Sequence, residues 1–154
     1  MLLVKLLHHD ARLPERMSDG ASGYDVFAIE DTELEPGKFY AIRTGIALEV
    51  QQPETKYTPR QGAIVFEIQL RARSSLSSKG VTMANGVGTI DADYRGEILV
   101  PLIYLALKGA KKLTIKKGDR IAQLVICAIS RPDTALASEL SATARNDGGF
   151  GSTN

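Results

Sequence analysis

The chain has 154 residues, 44% hydrophobic and 24% charged, an ordinary composition for one globular domain with a real core. Its formal charge of +1 gives no global drive toward nucleic acid or a membrane surface, so any anion site has to be local. A single cysteine excludes an internal disulfide framework and a cysteine metal cluster, and two histidines leave almost no material for histidine-based catalysis.

Leu2 to Leu7 reads as a first strand. His8 and His9 follow; on a strand they would point to opposite faces, which argues against a shared metal site. Ala11 to Gly23 is a loop. Tyr24 to Ala28 is short and β-prone, and the turn Glu35-Pro36-Gly37 leads into Phe39 to Arg43. Gly45 interrupts before Ile46 to Val50. Gln51 to Gly62, with Pro53 and Pro59 among polar residues, suggests an exposed hairpin loop. Ala63 to Arg71 alternates, with Ile64, Phe66, Ile68 and Leu70 on one face and Val65, Glu67, Gln69 and Arg71 on the other, as a half-buried strand does. Arg73 to Gly80 has room for one or two helical turns at most.

Asn85-Gly86 between short apolar or β-branched runs predicts a tight hairpin with positive φ at both residues. Asp91-Ala92-Asp93-Tyr94-Arg95-Gly96 then places two carboxylates, a phenol and a guanidinium on a glycine-closed loop. Backbone amides beside an acidic group can read a small planar ligand and activate a water; the alternative is a plain solvated turn. Glu97 to Leu107 is a nearly continuous apolar strand whose Pro101 implies an edge, a bulge or a position spared from ladder bonding. Leu113 to Ile115 and Ile121 to Ile129 complete the series, with Cys127 expected as a buried, inert thiol. Turn signals recur about every eight to twelve residues, the rhythm of an all-β barrel or sandwich.

After Arg131-Pro132-Asp133 the chain becomes small and polar, then glycine-rich around Phe150, a composition expected to stay mobile. Its backbone amides, hydroxyls and Arg145 suit phosphates, and Phe150 suits stacking on a base. No apolar run approaches a membrane span, and Met1 to Lys5 is too short for a secretory core, so the cytoplasm is expected.

Five segments carry a resemblance. Ala21-Ser22-Gly23-Tyr24-Asp25-Val26, Arg73-Ser74-Ser75-Leu76 with Lys79-Gly80, Asn85 through Glu97, Gly118 through Leu124, and Arg145 through Thr153 occur in the order and spacing of one family. The chain resembles the homotrimeric dUTPases. That resemblance implies a distorted jelly-roll β-barrel over residues 1–133, a flexible arm over 134–154, and a trimer whose three active sites each draw on all three subunits. It implies that Asn85, Gly88, Thr89 and Ile90 bind uracil, that Asp91 contacts the sugar and acts as general base on water, and that Tyr94 packs under the deoxyribose and excludes a 2′-hydroxyl. Arg73, Ser74, Ser75 and Gln123 would hold the phosphates. Asp25 would support Mg²⁺ through a bound water. Arg145 would neutralise developing charge, Phe150 would cap the base, and Gly149, Gly151, Ser152 and Thr153 would cover the phosphates. The implied reaction takes dUTP to dUMP and pyrophosphate, limiting uracil in DNA and supplying dUMP for dTMP synthesis. The resemblance includes no nucleic-acid or membrane partner, and it places the protein in the cytoplasm of a bacterium, or of the host cell if phage-encoded. Arg120 is expected to pair with Asp119. Two alternatives stand beside this: a dCTP deaminase of the same superfamily, and a nucleotide-responsive binding protein that contacts a partner through Gln51 to Gly62.

Overall fold

The computed structural model describes residues 1–52, 63–106 and 109–148. Within them the chain is almost wholly β, with eleven strands and one helical turn. The largest sheet is built on the antiparallel pair β6 (Ala63–Arg71) and β11 (Arg120–Arg131), in register from Arg71 opposite Gln123 to Ala63 opposite Arg131. It is flanked by β2 (Tyr24–Phe27) on β11 and β8 (Gly88–Ile90) on β6. A second sheet orders β4 (Phe39–Arg43), β9 (Leu99–Tyr104) and β7 (Val81–Met83). Two-stranded pairs join β1 (Leu2–Leu6) to β5 (Ile46–Val50), and β3 (Thr32–Leu34) to β10 (Leu113–Ile115). The helical turn α1 is Ser74–Ser77, as short as its serines imply, and is anchored by buried Leu76.

The period of two decides what is buried. Ile68 and Leu70 on β6 meet Leu124 on β11 inside the molecule, while Glu67, Gln69 and Gln123 keep the outer face half-exposed. Leu34, Ile46, Leu102, Ile115 and Ile121 are among the other fully enclosed core residues. Truncating any one of them to Ala removes roughly 2–5 kcal/mol. None of the described helical residues forms a helix long and apolar enough to cross a membrane.

Several local expectations change. β7 and β8 do not pair with each other; β7 joins β9 and β8 joins β6, so Asn85-Gly86 links two sheets instead of closing a hairpin. Each run is only three residues long, and longer neighbours supply better ladders. Only Gly86 of the two has positive φ, at 69°. Pro101 lies on the central strand of its sheet, not an edge. Its carbonyl accepts from Ala84 N at 2.9 Å, just where the pairing of β7 with β9 ends at Met83 opposite Leu102. The missing N–H therefore falls at the end of that ladder, the spared position among the three options. β1 stops at Leu6, so His8 and His9 sit in a turn with ring centroids 4.2 Å apart, not on opposite strand faces. Cys127 is half-buried on the outer sheet face, with Arg71 Nη2 3.5 Å from its sulfur. The expected loop over 51–62 falls, from residue 53 onward, outside the described residues.

Candidate active site

The link between β7 and β8, β8 itself and the loop after it, with Leu70 of β6 and Leu99 and Pro101 of β9, line an open cavity of about 230 Å³. Six of the expected residues line it: Asn85, Gly88, Thr89, Ile90, Asp91 and Tyr94. Thr89 and Ile90 are placed by pairing with Gln69 and Ile68 of β6. Gly88 lies close to Asn85, because a Cβ there would stand 3.1 Å from Asn85 Nδ2 and push that amide aside by a few tenths of an ångström. Asp91 starts a turn in which Tyr94 N donates to its carbonyl at 3.0 Å. Its carboxylate is exposed and also borders a second cavity of about 700 Å³, lined by Glu67, Asp93, Arg95 and Arg131 among others. Asp91 thus stands between two spaces.

Glu97, which carried no expected role, lines the same cavity and fixes the far end of the loop. Its carboxylate accepts from Arg43 Nε and Nη2 at 3.1–3.2 Å and from Gly45 N at 2.9 Å. The carboxylate holds the Arg43 guanidinium above its ordinary pKa by direct hydrogen bonding. The partners lie 54 residues apart, so no local sequence pattern announces them.

A second constellation is electrostatic. Asp25 on β2 is 2% exposed, and its carboxylate receives Arg73 Nε at 3.0 Å, Arg120 Nη1 at 3.1 Å and Gln123 Nε2 at 3.2 Å. Gln123 is opposite Asp25 in the β2–β11 register, which explains their meeting. Arg73 is further tied by Nη1 to the Arg120 carbonyl at 3.0 Å. Arg120 therefore pairs with Asp25, not with Asp119, whose carboxylate caps the Lys116 N–H instead. A buried carboxylate needs such compensation, since an isolated one would neutralise. Ser74 and Ser75 lie exposed in α1 beside Arg73. None of Asp25, Arg73, Ser74, Ser75 or Gln123 lines the Asn85 cavity.

Residues 132–147 are exposed. Within them Thr143 and Asn146 exchange side-chain to backbone bonds at 3.0 Å, and Arg145 Nε donates to the Gly148 carbonyl at 2.8 Å. The expected lid residues Gly149, Phe150, Gly151, Ser152 and Thr153 lie outside the described residues.

A carboxylate offers about four acceptor positions, and Asp25 has three donors on its two oxygens. What remains fits a carboxylate that reaches a hydrated metal through one water, not an inner-shell ligand. Among the described residues the grouping of metal-ligating type is His8, His9 and Asp10. Lys117 holds Asp10 in an ion pair, and its hydrogen bond lowers the Asp10 pKa.

The chain is thus an all-β protein with a small cavity at the β7–β8 link and, apart from it, two guanidiniums gathered on a buried carboxylate. Comparison with known proteins sharpens that class. The dUTPase family profile matches residues 9–154. The deoxyuridine 5'-triphosphate nucleotidohydrolase of Hydrogenobaculum sp. (strain Y04AAS1) is 47% identical over 99% of this chain and 96% of its own length. That of Zymomonas mobilis is 40% identical over 99% and 96%. Among solved structures, the Staphylococcus bacteriophage 80alpha dUTPase with dUPNHPP superposes with a TM-score of 0.83 at 30% identity, covering 100% of this chain and 98% of that one. A variant dUTPase from phage phi11 of S. aureus, described as coordinating a structural Mg(II) ion, gives 0.77 at 28% identity over 92% and 99%. The chain belongs to the dUTPase family.

Proposed function

We propose that this protein hydrolyses dUTP to dUMP and pyrophosphate in a site shared between subunits of a homotrimer. The observation that carries this is the gathering of Asn85, Gly88, Thr89, Ile90, Asp91 and Tyr94 around one cavity, in a chain of the dUTPase family. The name of its 47% identical relative points the same way.

In this mechanism the backbone edge of Gly88 to Ile90 and the Asn85 amide read uracil. A base with the wrong donor order leaves those groups unpaired, which can cost a factor of about 10⁴ or more. Tyr94 forms the floor beneath the deoxyribose. Asp91 accepts a proton from the water that attacks the α-phosphorus in line, a contribution of about 10²–10⁴ in rate. Arg73, Ser74, Ser75 and Gln123 bind the phosphates, with Asp25 orienting Arg73 and Gln123. Mg²⁺, when bound, neutralises phosphate charge, and Asp25 would face it through a water. Arg145 supplies a further cation, while Phe150 caps the base and Gly149, Gly151, Ser152 and Thr153 lie over the phosphates. Positioning and charge suffice, and no covalent intermediate is required.

Sharing between copies is supported by the separation of Asp25, Arg73 and Gln123 from the Asn85 cavity, and by the open space on the other side of Asp91. Residues 1–133 serve as the barrel and 134–154 as the arm that closes a neighbour's site.

The test is pyrophosphate release from dUTP, dCTP, dTTP and UTP, each with and without Mg²⁺. Release from dUTP alone, enhanced by Mg²⁺, is expected. Ammonia release from dCTP would sink the proposal in favour of a deaminase, and no turnover of dUTP would favour a binding protein.

A further inference from the structure

Tyr94 is 47% exposed, so core packing does not hold its ring in place. Two other things do. The hydroxyl end of the ring lies over Gly96, where an added Cβ would meet Tyr94 Oη first and stand 2.6 Å from Cζ and 3.0 Å from Cε2. The hydroxyl donates to the Glu97 carbonyl at 3.1 Å.

Glu97 is in turn fixed to the corner between β4 and β5. Its side chain takes Arg43 and the Gly45 N–H. The next residue continues the attachment: Thr44 Oγ1 donates to the Ile98 carbonyl at 2.5 Å, and Ile98 N donates to Ile46 O at 2.8 Å. Gly45 has φ of +66°, and a Cβ there would meet Ala11 Cβ at 2.9 Å. The corner is therefore a backbone feature that a side chain would disturb.

We infer that Gly96 and the Glu97–Arg43 anchor are specificity-determining positions, because they seat the Tyr94 ring and so set how strictly the site rejects a 2′-hydroxyl. This assignment rests on the reading of Tyr94 as the floor beneath the sugar. Excluding one oxygen by sterics works only when the excluding group cannot yield. A ring free to swing about χ1 would move by more than the radius of that oxygen, whereas functional groups need holding to within about 0.5 Å. Gly96 provides the seat, the Glu97 carbonyl the catch, and Arg43 with Gly45 the attachment of that catch to the barrel. Arg43 and Gly96 do not line the cavity, so their effect on substrate choice is through Tyr94.

The experiment compares kcat/KM for dUTP and for UTP in the native protein, Arg43→Met, Gly96→Ala and Tyr94→Ala, with thermal midpoints recorded alongside. Arg43→Met and Gly96→Ala are each expected to lower the dUTP:UTP preference by about tenfold, less than the roughly hundredfold that a misplacement near 1 Å can cause. Simple destabilisation would lower the midpoint and both turnovers together, leaving the ratio in place. If Tyr94→Ala keeps the native ratio, the sugar-floor reading fails and takes this assignment with it. If Tyr94→Ala collapses the ratio while Arg43→Met and Gly96→Ala preserve it, the seating assignment alone is overturned. Should Gly96→Ala fail to fold, Arg43→Met decides the matter by itself.

Discussion

The Asn85 cavity and the Asp25 cluster are organised by opposite means. The cavity is a space of about 230 Å³ lined by buried apolar residues such as Leu70 and Ile98 and by exposed polar ones such as Asn85 and Asp91. Tyr94 and Glu97 spend their polar groups on internal hydrogen bonds, whereas Asp91 is exposed. The cluster is organised around a charge. Its carboxylate is buried, and three donors from β11 and the segment before α1 converge on it. Shape serves in one place and charge balance in the other. A cavity can be altered at small cost to folding, whereas a compensated buried charge resists removal of any partner.

The largest effect should come from Asp91→Asn. Loss of the base is expected to lower kcat by about 10³-fold while a non-hydrolysable dUTP analogue still binds and the thermal midpoint stays close to native. Steady-state kinetics with calorimetric binding checks this, and retained full turnover would remove Asp91 from the chemistry.

Asp25→Asn should invert the pattern. It strands Arg73 and Arg120 beside a neutral amide at a position whose side chain is 3% exposed. For fully buried pairs the penalty is about 3–5 kcal/mol; with Arg120 42% exposed, about 2–3 kcal/mol is the appropriate expectation. That corresponds to a fall of roughly 5–10 °C in the midpoint. If turnover is lost and the midpoint is unmoved, Asp25 acts through a bound metal alone and the contrast between the regions dissolves.

A smaller effect concerns the surface near Asp10, away from both. Lys117 lowers the Asp10 pKa, so the pair contributes stability above the unfolded carboxylate pKa and loses it as pH falls through the folded value. Lys117→Met should lower the midpoint at pH 7 by no more than about 2 °C, and the difference from native should shrink and disappear as falling pH protonates the Asp10 carboxylate. A difference that persists in acid would show that packing, not charge, is involved.

The β-rich architecture was legible because alternation over Ala63 to Arg71 and the regular turn spacing report local preferences. The cavity residues were legible from the Asn85 to Glu97 motif, since one short segment supplies most of them. The partner of Asn85-Gly86 was not, because sequence shows a turn but not which sheets its flanking strands join. Adjacency in sequence suggests Asp119 as the partner of Arg120, while its actual partner Asp25 lies 95 residues away across the β2–β11 pairing. Glu97 with Arg43 was missed for the same reason. His8 and His9 diverge only if β1 continues, and a strand ending one residue sooner than expected reverses that inference.

The central claim is that the two regions serve one reaction from different copies of the chain. It is tested by mixing Asp91→Asn chains with Arg73→Ala chains at equal amounts, unfolding and refolding them together, and measuring dUTP hydrolysis. Each variant alone should be nearly inactive. If sites form between subunits, random assembly restores about a quarter of native turnover, since half the chains at each of two positions carry the needed residue. If Asp91 and Arg73 of the same chain must act together, every site carries one defect and the mixture stays as inactive as its components.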